Sequence, residues 1–157
     1  MNNIIELSSY IKSKNNINII KISKYFINKL ELTPKKLQKL CFYAYAHYYA
    51  TNNKKLFKAE FVESVQGVIN KELDNYYKDY KFKIIPSSDL PTLNTEIEVF
   101  LNLIIKKYGD LTAGQLEDLS LSEIPIKNAR KGLYSFQSKS NKINDKDIIN
   151  YYKLKSK

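Results

Sequence analysis

Apolar residues recur at intervals of three and four along most of this chain. The first clear run is Ile17 to Leu30, where Ile19, Ile22, Phe26, Ile27 and Leu30 form one stripe of an amphipathic helix. A start signal follows. Thr33 can accept the free N–H groups of a first turn, and Pro34 stands where a missing N–H costs nothing, so the pattern predicts a helix from Pro34 to about Thr51, stopped by "TNNKK". At about 100° per residue, Leu37, Leu40, Cys41, Ala44 and Tyr48 share one stripe of this helix. Phe42, Tyr45 and Tyr49 share the adjoining one, with Tyr43 and His47 on the other flank. A helix apolar over most of its circumference belongs at the centre of a fold, and its tyrosine hydroxyls then need polar partners.

Farther along, Phe57, Phe61, Val62 and Val65 precede Gln66-Gly67, a predicted turn or close approach. Phe61 to Val65 reads equally as a short strand, part of a β-hairpin near 57–66, or as another helical turn. A helix carrying Val68, Ile69, Leu73, Tyr76, Tyr77 and Tyr80 is expected next, and Pro86 and Pro91 make "KFKIIPSSDLPTLN" a connection. From Asn94 or Thr95 to Tyr108 a helix places Ile97, Phe100, Leu101, Ile104 and Ile105 on one face, with Glu96 and Glu98 in its first turn and Gly109 as its C-terminal cap. Thr112 is a plausible N-cap for "DLTAGQLEDLSLSEIP", which Pro125 closes; a basic stretch "IKNARKGLYSF" and a polar "QSKSNK" then lead to a last helix, "NDKDIINYYKLK". The expected architecture is mainly α: one compact helical domain over residues 17–153, built around the central hydrophobic helix 34–51. Residues 1–16 form an N-terminal segment with room for a short helix, and 154–157 a frayed basic tail.

Length supports one domain, since 157 residues bury a core without staples. The lone Cys41 cannot close an internal disulfide, which suits a reducing compartment, and the cytoplasm is the expected location. Neither a leader pattern nor a run of about 18 apolar residues occurs, so neither secretion nor membrane insertion is expected. The net charge of +10 and pI of about 9.4 fit a nucleic-acid binder. Yet 25 of the 26 basic residues are Lys, and Arg130 is the only Arg, whereas base edges favour the guanidinium fork. Lys, Asn, Ile and Tyr make up 73 of the 157 residues, and all have AT-rich codons, so genome composition is an alternative source of the charge.

Catalytic and metal chemistry find little support. One His and one Cys do not make a ligand cluster, so no metal is expected. Cys41 and His47, six positions apart, stand about 120° around a helix and about 9 Å along it, too far for a nucleophile and its base. His47 is expected to be a partly buried helix residue satisfied by a hydrogen bond. Four scattered glycines make no phosphate-binding loop, and pairs such as Glu96/Glu98 or Glu117/Asp118 do not face each other on a helix; no cofactor is expected. "YYKDY", with Lys78 and Lys81, suits either base stacking or a protein groove rimmed by tyrosines.

Taken together, "LTPKKLQKLCFYAYAHYYATNNKKLF", Gly67 followed by an aromatic helix, "YGDLTAGQLEDLS", Pro125 and "NAR" resemble the Panacea or SocA-like antitoxin domain, a phage-associated domain of unknown function. The resemblance spans roughly Ile19 to Tyr152 and is strongest from Leu32 to Phe57. The family's Gly-Pro-Val turn stands here as Gly67-Val68-Ile69, and its Pro-Trp as Pro125-Ile126. The resemblance implies a largely helical, non-enzymatic protein that neutralises a cognate toxin by binding it, in some members by delivering it to a protease. Positions matching the family motif are Gln38, Lys39, Gly67, Pro125 and Arg130. Candidate partner-binding residues are Tyr43, Tyr45, Tyr49, Gln66, Tyr76, Tyr77 and Tyr80, because tyrosine brings large contact area at low entropy cost. The alternative is a basic nucleic-acid-binding protein, such as a repressor of its own operon.

Overall fold

The structure is a computed structural model that describes residues 16–64, 67–131 and 141–155. The expected short helix in 1–16 falls almost wholly outside these residues, and so does Gln66. Among the described residues are seven α-helices: α1 (Ile19–Lys29), α2 (Pro34–Asn52), α3 (Lys71–Tyr77), α4 (Thr95–Tyr108), α5 (Ala113–Leu121), α6 (Ile124–Ala129) and α7 (Asp145–Lys155). Strands β1 (Val62–Ser64), β2 (Gly67–Ile69) and β3 (Asn141–Lys142) make a small antiparallel sheet in the order β2-β1-β3. The fold is mainly α, as the periodicity indicates.

Side-chain caps set most helix starts. Asn18, Thr33, Asn70 and Asn94 each accept from the backbone N–H three residues on, and Thr112 does so within a full capping box with Gln115. Pro125 corrects the sequence reading: it does not close α5, which ends at Leu121, but stands in the first turn of α6, where its fixed φ suits a helix start. Val68 and Ile69 lie in β2, not in the following helix. Ser64 pairs with Gly67 across the hairpin, and Asn70 caps α3 only afterwards.

α2 is the hub, packing against α1, α3, α4, α5, α7 and β2. From Leu37 to His47 every residue is buried. Phe42 meets Phe61 and Tyr152 edge-on, and the Tyr43 ring stacks on Tyr108 with centroids 4.0 Å apart. Burial this complete corrects the reading of Tyr43, Tyr45 and Tyr77 as partner anchors, for all three are core residues. Their hydroxyls are met internally: Tyr43 donates to Glu123 Oε1 at 2.6 Å, Tyr45 to Asp145 Oδ1 at 3.2 Å, and Tyr77 pairs with Ser23 Oγ at 2.8 Å. Tyr152 donates to the same Glu123 oxygen at 2.9 Å. His47 is buried as well, with Nε2 2.6 Å from the Tyr108 hydroxyl.

Burial, helped by the charge of Lys107, holds the His47 imidazole down at a pKa of about 4, against 6.5 when unperturbed. The unfolded chain therefore binds a proton there that the folded chain refuses, and stability falls as the pH drops through 6.5 toward 4. Acidification across that window should cost about 3 kcal/mol through His47 alone. Urea unfolding at stepped pH checks this, with His47→Gln expected to flatten the slope in the same window.

Candidate interaction site

The motif positions Gln38, Lys39, Gly67 and Arg130 come together where the β1–β2 hairpin meets the N-terminal half of α2. Gln38 pairs with the backbone of Asn70 in both directions: its Nε2 donates to Asn70 O at 3.0 Å, and its Oε1 accepts from Asn70 N at 2.9 Å. A glutamine side chain thus takes the place of a neighbouring strand and ties the end of β2 to α2. Pro125 stands apart, at the start of α6.

Next to Gln38, Lys39 is 1% exposed and runs inward to Gly67. Gly67 has φ +91°, which glycine adopts freely, and a Cβ there would fall on Lys39 Nζ. Among the described residues, Lys39 Nζ is buried without a hydrogen-bond partner, and so is Glu63 Oε2; the other Glu63 oxygen accepts from Arg130 Nη1 at 2.9 Å. Burial pushes the Lys39 ammonium down from the usual lysine range, against the charges of Glu117 and Glu63. Burial likewise pushes the Glu63 carboxyl up, against the Arg130 hydrogen bond and the charges of Lys39 and Arg130. Arg130 also reaches Ser64 O at 3.5 Å, so α6 and the hairpin are clamped by one guanidinium.

A groove with a cavity of about 410 Å³ opens beside this cluster. Pro34, Val68, Ile69 and Phe82 give it apolar walls, and Lys35, Gln38, Asp74 and Lys81 its polar rim. Lys35 is already paired with Glu117. Asp74 and Lys81 form no ion pair among the described residues. Phe82 is 93% exposed. It follows Lys81 at φ 53° and ψ −109°, and Lys83 N bonds to Tyr80 O at 2.8 Å. These values describe a tight turn of type II′ with lysine where glycine is the usual occupant. Ile85 N bonds to Leu32 O at 2.8 Å and fixes the far side of this turn against the start of α2.

Of the remaining tyrosine candidates, Tyr76 is 54% exposed on α3, Tyr80 is half-buried just before Phe82, and Tyr49 is half-buried at the far end of α2. Phe82 was not among the candidates, because one aromatic between two lysines carries no periodic signal. At the far end of α2 a second cleft, of about 730 Å³, is lined by Tyr49, Asn53, Lys54, Lys55 and Lys58 among others. Among the described residues, no group of three His, Cys, Asp or Glu is placed to hold a metal ion, and no helix is long and apolar enough to cross a membrane. Cys41 is fully buried, which pushes its thiol well above the usual range and leaves it unreactive.

Two stability predictions follow from the geometry. Gly67→Ala should cost about 2 kcal/mol or more in chemical denaturation, and less in a Lys39→Met background, where the shorter side chain frees the Cβ position. Lys81→Gly should stabilise the fold by up to about 1 kcal/mol by relieving the turn, read as a higher denaturation midpoint. Comparison of the chain with protein-family models, curated proteins and solved structures finds no match.

Proposed function

We propose that this chain is a non-enzymatic protein-interaction domain, an antitoxin-like neutraliser of a toxic protein or an adaptor that hands one to a protease, in line with the Panacea or SocA-like resemblance. The observation that carries this reading is the groove beside Phe82. An aromatic ring left almost wholly in water at a strained turn, next to an apolar cavity, suits capture of another protein surface better than turnover of a small substrate. Tyr76 and Tyr80 extend the same aromatic stretch of chain.

A second reading, binding of nucleic acid, draws on the cleft at the other end of α2. There Lys54, Lys55 and Lys58 line the same cleft as Tyr49, with Lys55 Nζ 5.6 Å from the centroid of its ring. Cations around an aromatic face suit a stacked base and its phosphates. Against it, Lys55 is also drawn to Asp145 at 3.4 Å, and a lysine cluster at a helix C-terminus already complements the helix dipole.

The test is a tagged pull-down from the native host, nuclease-treated and at moderate salt, followed by co-expression with the adjacent gene. One stoichiometric protein is expected, whose toxicity this chain relieves, and Phe82→Asp should lose both the partner and the relief. Retention of DNA or RNA that weakens steeply with salt, with no protein recovered, would overturn this reading in favour of the second.

A further inference from the structure

We infer that the groove accepts the Phe82 ring of a second copy of this chain, in a two-fold dimer where each protomer inserts one ring and receives one. The inference rests on the groove being the interaction surface proposed above, and it names the surface's own copy as an occupant. Knob and hole lie on one face: Phe82, 93% exposed, itself lines the cavity of about 410 Å³ together with Pro34, Val68 and Ile69. That volume is at the small end of ligand-pocket sizes and leaves room for a phenyl ring. A face that carries both halves of a contact is self-complementary, which is what a two-fold interface requires.

The rim charges favour the same occupant. Asp74 and Lys81 both line the groove, and neither is paired among the described residues. A uniformly acidic segment seated here would meet the Asp74 carboxylate, and a uniformly basic one the Lys81 ammonium. The same face turned about a two-fold axis sets Asp74 of each copy against Lys81 of the other and satisfies both. The backbone contributes too. The turn at Lys81 is held in a conformation that lysine seldom adopts, and Ile85 is buried and bonded to Leu32, so Phe82 is presented rather than free to fold back. Opposing the dimer is the charge of +10 on each copy. That repulsion acts over a distance, and at physiological salt it is screened beyond about 8 Å, whereas the rim pairs are in contact. A toxin that uses the same groove would compete with the dimer.

Sedimentation equilibrium of the full chain at physiological salt tests this. The wild type is expected to show a concentration-dependent monomer–dimer equilibrium. Phe82→Asp, at a position too exposed to matter for folding, should weaken it by at least about tenfold with an unchanged melting temperature. Asp74→Lys and Lys81→Asp should each weaken self-association, while an equimolar mixture of the two variants should form a heterodimer, because both rim contacts then pair opposite charges. A dimer that Phe82→Asp leaves intact overturns the inference. A wild type that is monomeric at every concentration also overturns it, and the co-expression readout then separates two cases. If Phe82→Asp still abolishes relief of toxicity, the groove serves a different protein; if relief survives the substitution, the proposed interaction surface falls as well.

Discussion

Everything in this fold depends on α2 having no solvent face between Leu37 and His47. A buried helix that carries glutamine, tyrosines and histidine needs their polar atoms met from inside, since each unmet group costs about 1–3 kcal/mol; Lys39 Nζ, with no hydrogen-bond partner among the described residues, is the exception. Gln38 is met by Asn70, Tyr43 by Glu123, Tyr45 by Asp145 and His47 by Tyr108, four partners from four different parts of the chain. Apolar packing alone would let those parts slide along α2. Directional bonds to particular atoms set where each one stops, so the polar core specifies the arrangement that the apolar core holds together.

The groove is a consequence of the same constraint. Gln38 grips Asn70, which both ends β2 and caps α3, so one side chain aligns the hairpin and the next helix against α2. α3 leads through a 3₁₀ turn, Lys78–Tyr80, into the turn at Lys81, and the chain returns to Leu32, just before α2. The cavity is the space enclosed by that loop of chain. The loop is tied at both ends by hydrogen bonds, while Phe82, between them, is left 93% exposed at the groove.

The helices were legible in the sequence wherever a 3.6-residue period ran for three turns. α1, α2, α4 and α7 fall within a few residues of their expected bounds, and Thr33 and Thr112 cap as their types suggest. Short elements were not. Val68 and Ile69 suit a strand or a helix equally, and only the pairing of Ser64 with Gly67 decides between them. β3, two residues long, has no pattern to read. At the candidate site, residue types were legible but depth was not. Tyrosine serves equally in cores and at surfaces, and what lets Tyr43 lie buried is a hydrogen bond to Glu123, a carboxylate 80 positions away that no local spacing could reveal.

Composition looks different once the one arginine is located. Lysine replaces it at every other basic position, and most of those are exposed, where any cation keeps a protein hydrated and a surface ion pair contributes little. Among the four ion pairs of the described residues, Arg130–Glu63 is the one whose carboxylate is fully buried. There the requirement is strict. Burial drives both Glu63 and Lys39 toward their neutral forms, and a lysine in the clamping position could follow by giving up its own proton. A guanidinium cannot, so Arg130 keeps a fixed positive charge against Glu63 and favours its ionised form. An ionised Glu63 in turn supports the charge on Lys39, whose ammonium occupies the space a side chain at Gly67 would need. The only arginine in the sequence thus stands, half-buried, against a fully buried carboxylate, and it ties the hairpin that lines the groove to the end of α6.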